Sequence, residues 1–292
     1  MSPDWDAITS VWLLKKYLAG WLEAEVKFVP AGQRYKNSPV PDEKGDPVEK
    51  IGDDEVIHVD TGLGPLDHHQ TQDKNVCGAS RTWDYVLSQF RHAHDKMTSE
   101  HTEAVSRIVK VVVAIDHFGE VFWHDAASDI YEFSLLGVLE GLKYEKPGQD
   151  LGYLKFGITC LNALTAEFEN RIWAEKEINE KGVKFETSKG QGIGFETIND
   201  TVLKLAQKMG YILVVRKDPR KGYVRIKTLP DQDDKKGIDL TPVYLQLSKM
   251  DPEATWFLHV SKKMLLNGTP KNPKMVPTRL TLNEIINVVK AL

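Results

Sequence analysis

The sequence predicts an α/β protein in two parts. A parallel sheet with crossover helices comes first, and a smaller C-terminal α/β domain follows. Three observations predict this. β-Branched runs alternate with helix-period segments in the first part. Acidic and histidine residues stand where hydrophobic stretches stop. Beyond about residue 183 the texture changes to short strand-like runs separated by turns. We place the domains at 1–127, a helical connector at 128–182, and the C-terminal domain at 183–292.

From Ile8 to Leu22 the apolar residues Val11, Leu14, Leu18 and Trp21 fall at helical spacing, with Gly20 weakening the end. "EVKFVP" reads as a short strand stopped by Pro30. Residues 31–54, rich in Pro, Gly, Asp and Lys, read as a long surface loop. "EVIHVD" is a strand ending at Asp60 and broken by "TGLGP". A helix follows over Ala79 to Ala93, and a second, capped by Ser99, runs to Asp116. The connector is helical and ends in "AEKEINEKG", an exposed helix end. Beyond it, "GIGFETI", "YILVVRK", "YVRIKTL" and "WFLHV" read as strands, with a helix at Asp200 to Met209 between the first two. "GQGIG" has the wrong spacing for a dinucleotide fingerprint and precedes a strand instead of following one.

Composition bounds the function. The chain has 292 residues, 41% hydrophobic, enough for one large domain or two ordinary ones. Its net charge of −4 argues against a surface coated for nucleic acid but leaves a local basic patch open. No apolar run reaches the ~18 residues of a membrane span, and the start is too polar for a secretory signal. Cys77 and Cys160 supply neither a disulfide framework nor a zinc spacing. We expect no membrane partner and a cytoplasmic location.

Four acidic or histidine clusters end hydrophobic stretches: Asp4 with Asp6, Asp60, "DHH" at Asp67, His68 and His69, and Asp116. In open α/β sheets ligands gather beyond the carboxyl ends of the strands. Carboxylates and imidazoles brought together there suit Mn²⁺ or Mg²⁺, and a pair of such ions is a recurrent device for hydrolysing phosphate esters. Each residue also has an ordinary reading. Asp-x-Asp before a helix serves as an N-cap with a dipole-compensating neighbour. Asp60 before "TG" closes a strand as an Asx turn. Asp116 can be a plain helix-end residue, and the two histidines can lie on the surface. The joint order of the clusters favours the metal reading.

"SPDWDAITS", "HVDTG", "DHHQT" and "AIDHFG" resemble motifs I to IV of the DHH phosphoesterase superfamily, in order over about 115 residues. That superfamily includes RecJ-type exonucleases, nano-RNases, cyclic-dinucleotide phosphodiesterases and family II pyrophosphatases. The resemblance implies a parallel-sheet DHH domain, two Mn²⁺ ions with Mg²⁺ as an alternative, and roles by position. Asp60 would bridge the ions. Asp6 and His68 would complete one site, and Asp4 and Asp116 would belong to the other. His69 would face the scissile phosphate, with Asp67 orienting the histidines. His58, His117, His124 and Asp125 lie outside the family pattern and are read as structural.

Superfamily members bind substrate with a second domain, through a Gly-rich turn and basic or histidine residues. Here "WFLHVSKKMLLNGTPKNP" is the candidate, through His259, Ser261, Lys263, Asn267 and Gly268. From His259 to Leu280 there are five basic residues, Lys262, Lys263, Lys271, Lys274 and Arg279, and no acid. The segment also reads as a solvated basic hairpin, and "RKDPRKGYVRIK" has the same two readings. "NG" stands where two or three glycines are usual.

The superfamily's first Asp-x-Asp follows a buried strand, with a histidine four residues before it. Here that histidine would fall one residue before Met1. We expect a natural product that starts earlier, with a strand ending in that histidine. Full metal occupancy without it would point to another residue, such as His117. We expect a metal-dependent phosphoesterase acting on a nucleotide or short oligonucleotide. The alternatives are a small-molecule phosphatase or pyrophosphatase, and a catalytically impaired metal- or nucleotide-binding module. A homo-oligomer is compatible with all three.

Overall fold

The computed structural model describes residues 2–91, 97–231, 237–269 and 272–292. Met1, the residues that would carry the second helix to Ala93, and Lys271 lie outside them. The chain divides into two compact units, Met1–Glu169 and Asn170–Leu292. It is mixed α/β, and its larger sheet is mixed, with one parallel pair among the described residues.

In the first unit, helix α1 (Trp5–Tyr17) begins earlier than its apolar spacing suggested. Asp4 caps it, accepting from the Ala7 N–H at 3.0 Å. Leu18 leaves the helical region, so the helix stops short of Leu22. α1 packs against α2 (Gly78–Arg91) and α3 (Ser99–Asp116). Ile8, Trp12, Leu13, Val86, Val105 and Ile108 are buried in that core. Thr98 caps α3, one residue before the expected Ser99.

The parallel sheet expected here is not formed among the described residues. "EVKFVP" joins no ladder. The strands present are β1 (Val48–Ile51) and β2 (Asp54–Ile57), an antiparallel hairpin pairing Ile51 with Asp54 across Gly52 and Asp53. Local turn chemistry decides this, because Gly52 at φ 68° closes a two-residue turn. A strand therefore lies inside the stretch expected to be loop. β2 has no second ladder partner among the described residues. Beside it lies a cavity of about 710 Å³, walled by Val11, Leu14, Val26, Val29 and Ile57.

Helices α4 (Asp129–Glu132), α5 (Leu135–Glu145) and α6 (Asp150–Lys176) follow, so the expected connector is helical and shared between the two units. Its charged end is a π turn, Glu177–Lys181, where Glu177 and Ile178 are buried, not exposed.

The second unit is a six-stranded sheet in the order β3 (Val183–Thr187), β4 (Gly190–Glu196), β5 (Leu213–Lys217), β6 (Val224–Thr228), β8 (Met264–Asn267), β7 (Trp256–Leu258). α7 (Thr201–Lys208) joins β4 to β5, the parallel pair. Strand alternation sends side chains to both faces. Val214 packs with Val202, Leu203 and Ala206 of α7. Leu213, Val215 and Ile226 pack with α8 (Thr241–Met250) and α9 (Leu282–Val289) through Val243, Leu247 and Ile286.

Candidate metal centre

Asp6 lies in the first turn of α1, and Asp60 follows β2 in the left-handed region at φ 51°. Asp116 is the last residue of α3. All three meet at one imidazole. His68 Nε2 stands 3.4 Å from Asp116 Oδ2, 3.5 Å from Asp60 Oδ1 and 3.6 Å from Asp6 Oδ2. Four of the five expected ligands, spread over 110 residues of sequence, thus share one locus.

Backbone geometry fixes two of them. Asp6 is buried and accepts from the Gly78 and Ala79 N–H groups at 2.7 and 2.5 Å. It sits at the N-terminus of α2, where the helix dipole favours negative charge. Gly78 lets the elements close up, since a Cβ there would stand 3.0 Å from both Asp6 Oδ2 and the Asp60 Cβ. The capping reading of Asp-x-Asp is therefore correct for Asp4 on its own helix, while Asp6 caps a different one. Asp4 is exposed and stands outside the ligand-competent groups of the described residues.

The cluster holds more negative charge than its surroundings balance. Burial first, and then the Asp6, Asp4 and Asp116 carboxylates, push the Asp60 carboxyl up to about 10. Burial and Asp6 also raise Asp116, against the opposing effect of His68 and His117. Asp116 ends a helix, where the dipole disfavours an acid. Asp60 Oδ1, His68 Nε2 and Asp116 Oδ2 are buried with no hydrogen-bond partner, an arrangement that needs a physical reason. A divalent cation supplies one, and carboxylates with imidazole are the donor set it prefers. Two overlapping groups bring ligand atoms within 4.8 Å of one another: Asp60, His68 and His69; and His68, Asp116 and His117. Cys77 is buried beside Asp6, and burial, then Asp6, raises its thiol. Cys77 belongs to neither of these two groups.

Asp67 and His69 form a second layer. Asp67 accepts from the Leu63 N–H at 2.7 Å, the His69 N–H at 3.1 Å and His69 Nδ1 at 2.6 Å. Burial alone would raise its carboxyl, but these bonds outweigh burial and hold it below the usual carboxylate range. An ionised Asp67 can only accept, so Nδ1 of His69 carries the proton and Nε2 keeps its lone pair. The His69 side chain is 59% exposed, with Nδ1 3.9 Å from Asp60 Oδ1.

Sequence reasoning missed the support beneath this layer. Arg34, assigned to a surface loop, is buried. It donates to the Gly62 carbonyl at 2.9 Å, pairs with Glu49, and meets His58 Nδ1 at 3.2 Å. His58 Nε2 accepts from the Tyr35 N–H at 2.9 Å, and burial and then Arg34 lower its pKa. This network pins the loop between Asp60 and Asp67. Its one sequence signal is a lone arginine among lysines and prolines.

The C-terminal candidates are placed differently. Asn267 is fully buried, donating to Thr255 O and Val276 O and accepting from the Thr278 N–H. Lys263 pairs with Asp231 at 2.8 Å and donates to Ile238 O. Gly268 has φ 76°, and a Cβ there would meet the Tyr223 ring at 2.0 Å. All three make contacts within their own domain. Ser261 is exposed and His259 half-buried, the two bonded to each other at 2.8 Å. The expected basic surface is also largely paired, since Lys262 meets Asp239 and Arg279 meets Glu253. In "RKDPRKGYVRIK", Arg216 and Arg225 both engage Asp200. Gly268→Ala is expected to destabilise the protein by at least ~1–2 kcal/mol, the cost of a left-handed L-residue. Chemical denaturation checks this, and unchanged stability would refute the placement.

No family model matches the chain, and no curated protein or solved structure matches it. Among the described residues, no helix is long and apolar enough to cross a membrane.

Proposed function

We propose that this protein is a divalent-metal-dependent phosphoesterase that hydrolyses a phosphodiester of a nucleotide or short oligonucleotide, with Mn²⁺ as the preferred ion. One observation carries the reading: Asp6, Asp60 and Asp116 converge on His68 Nε2, with unbonded buried atoms on three of the four residues. The motif resemblance to DHH phosphoesterases supports it. When bound, a divalent ion supplies Lewis-acid activation of water and of phosphoryl oxygens.

The chain's own groups do the rest. Asp60, Asp6 and His68 would hold one cation and Asp116 would belong to a second, while the Gly78 and Ala79 N–H groups fix the angle of Asp6. Asp67 locks the tautomer of His69, whose exposed Nε2 is free to hold a proton for the leaving oxygen. His69→Gln should lower kcat about 100-fold or more, the usual scale for a lost acid–base group, and leave Mn²⁺ affinity unchanged. Equal losses in both would mean that His69 is a ligand instead.

A second reading is a small-molecule phosphatase. It is favoured by the acids Asp239, Asp231 and Glu253, which stand against Lys262, Lys263 and Arg279 and lower the positive charge a multi-phosphate substrate would meet. Turnover with Mn²⁺ should be compared on a labelled dinucleotide, a longer oligonucleotide and pyrophosphate. Hydrolysis of the first two supports the proposal, and pyrophosphate alone supports the second reading. Mn²⁺ binding without any turnover would leave a metal-binding module.

A further inference from the structure

We propose that His117 is a metal ligand on the Asp116 side of the cluster, an assignment that rests on the metal-dependent reading above. His117 follows α3 as its C-cap, and capping uses only its backbone N–H, which reaches Val113 O and Ile115 O. The imidazole takes no part in the cap, and its Nε2 faces the Val76 carbonyl. The ring lies beside Asp116, whose Oδ2 is 3.9 Å from that same Nε2. The His117 ring stands edge-on to His68, with centroids 5.8 Å apart and planes at 89°. Together with His68 and Asp116 it offers ligand atoms within 4.8 Å of one another.

An independent observation points to a ligand at this spot. His68 is 9% exposed. Its Nε2 has no hydrogen-bond partner and faces Asp116 Oδ2, itself buried and unbonded, at 3.4 Å. That nitrogen has one lone pair and can serve one ion. His69 belongs to the Asp60 side and is tied to Asp67. A cation beside Asp116 therefore finds its own imidazole in His117.

The tautomer is suited to this. His117 Nε2 lies 2.9 Å from the Val76 carbonyl, which can only accept. In the metal-free ring Nε2 thus carries the proton and Nδ1 keeps its lone pair. A carbonyl holding one ring N–H while the other nitrogen takes a metal is the usual way a ligand histidine is oriented.

The test is Mn²⁺ equilibrium dialysis on wild type, His117→Gln and Asp60→Asn. Glutamine can still donate to Val76 O, so a purely structural role would survive the change. The expected result for His117→Gln is an unaltered metal-free melting curve, with either one ion fewer or one ion bound at least ~10-fold more weakly. Wild-type stoichiometry and affinity in that variant would overturn the role of His117. If Asp60→Asn loses binding in the same experiment, the metal reading still stands. Wild type that binds no Mn²⁺ overturns both. Should the glutamine variant fail to fold, nitrogen-15 spectra of wild-type imidazoles during Zn²⁺ addition decide the matter. A large shift of a His117 ring nitrogen supports ligation, and an unmoved ring overturns it.

Discussion

Asp60→Asn is expected to weaken Mn²⁺ binding by at least ~100-fold, to abolish metal-dependent hydrolysis, and to make the metal-free protein more stable at alkaline pH. Losing an outer-shell partner of a metal costs ~10–100-fold, and a directly shared carboxylate should cost at least the upper end. Asparagine keeps the shape and tolerates the left-handed backbone at φ 51°, so the loss reads the charge alone. The stability gain follows from linkage. Asp60 has a folded pKa of about 10, raised by burial and by its acidic neighbours, against ~3.9 unfolded. Between those values the folded state holds a proton that the unfolded chain has released. The stabilising contribution is complete below about pH 4 and is lost as pH rises through about 10. Wild type without metal should therefore lose stability across this window, and Mn²⁺ should restore more of it as pH rises. The variant lacks both effects. Thermal melts in chelator and in Mn²⁺ at about pH 6 and about pH 9 check this, and an equal Mn²⁺-induced shift in both proteins would sink the bridging role.

Arg34→Ala is expected to cost about 3–5 kcal/mol, the scale for removing one partner of a buried ion pair. The Arg34 and Glu49 side chains are 4% and 15% exposed, so Glu49 would be left without its guanidinium partner. The Gly62 carbonyl would lose a donor at the loop that carries Asp67 and His68. His58 sets the pH dependence. Burial and Arg34 now lower its pKa. With Arg34 gone, protonated His58 can pair with Glu49, 3.1 Å away. That compensation is present at low pH and lost as pH rises, so the deficit should be larger at about pH 8 than at about pH 5.5. Urea denaturation at both values measures it. A loss under about 1 kcal/mol at the higher pH would show that the network carries no load.

Much of the cluster was legible in sequence because its residues end their own local signals. Asp60 closes a β-branched run, Asp116 closes a helical period, and "DHH" is a contiguous triplet. What sequence could not show was set by distant partners. Lys263 looked free because no acid lies near it in the chain, yet Asp231 reaches it in space. Asn267 and Gly268 looked like a phosphate-cradling turn, but the same pair can equally hold two backbone carbonyls and accommodate an aromatic ring. His117 lies within "AIDHFG" but outside the family's ligand pattern, and its place beside Asp116 and His68 depends on the fold. The β1–β2 hairpin was hidden by the composition of the residues around it, while its turn signal is only the pair Gly52 and Asp53.

The open edge of β2 bears on how this protein behaves in concentrated solution. An unpaired strand edge is a template for another chain, and natural proteins guard such edges with charge. Here Asp53 in the turn and Asp54 and Glu55 on the strand line the neighbouring hollow, with Asp54 paired to Lys36. Two copies approaching edge to edge would bring these acids against one another. That repulsion is exposed to solvent, so it weakens as salt shortens the screening length. Raising the ionic strength is therefore expected to weaken the guard that these acids place on the strand edge.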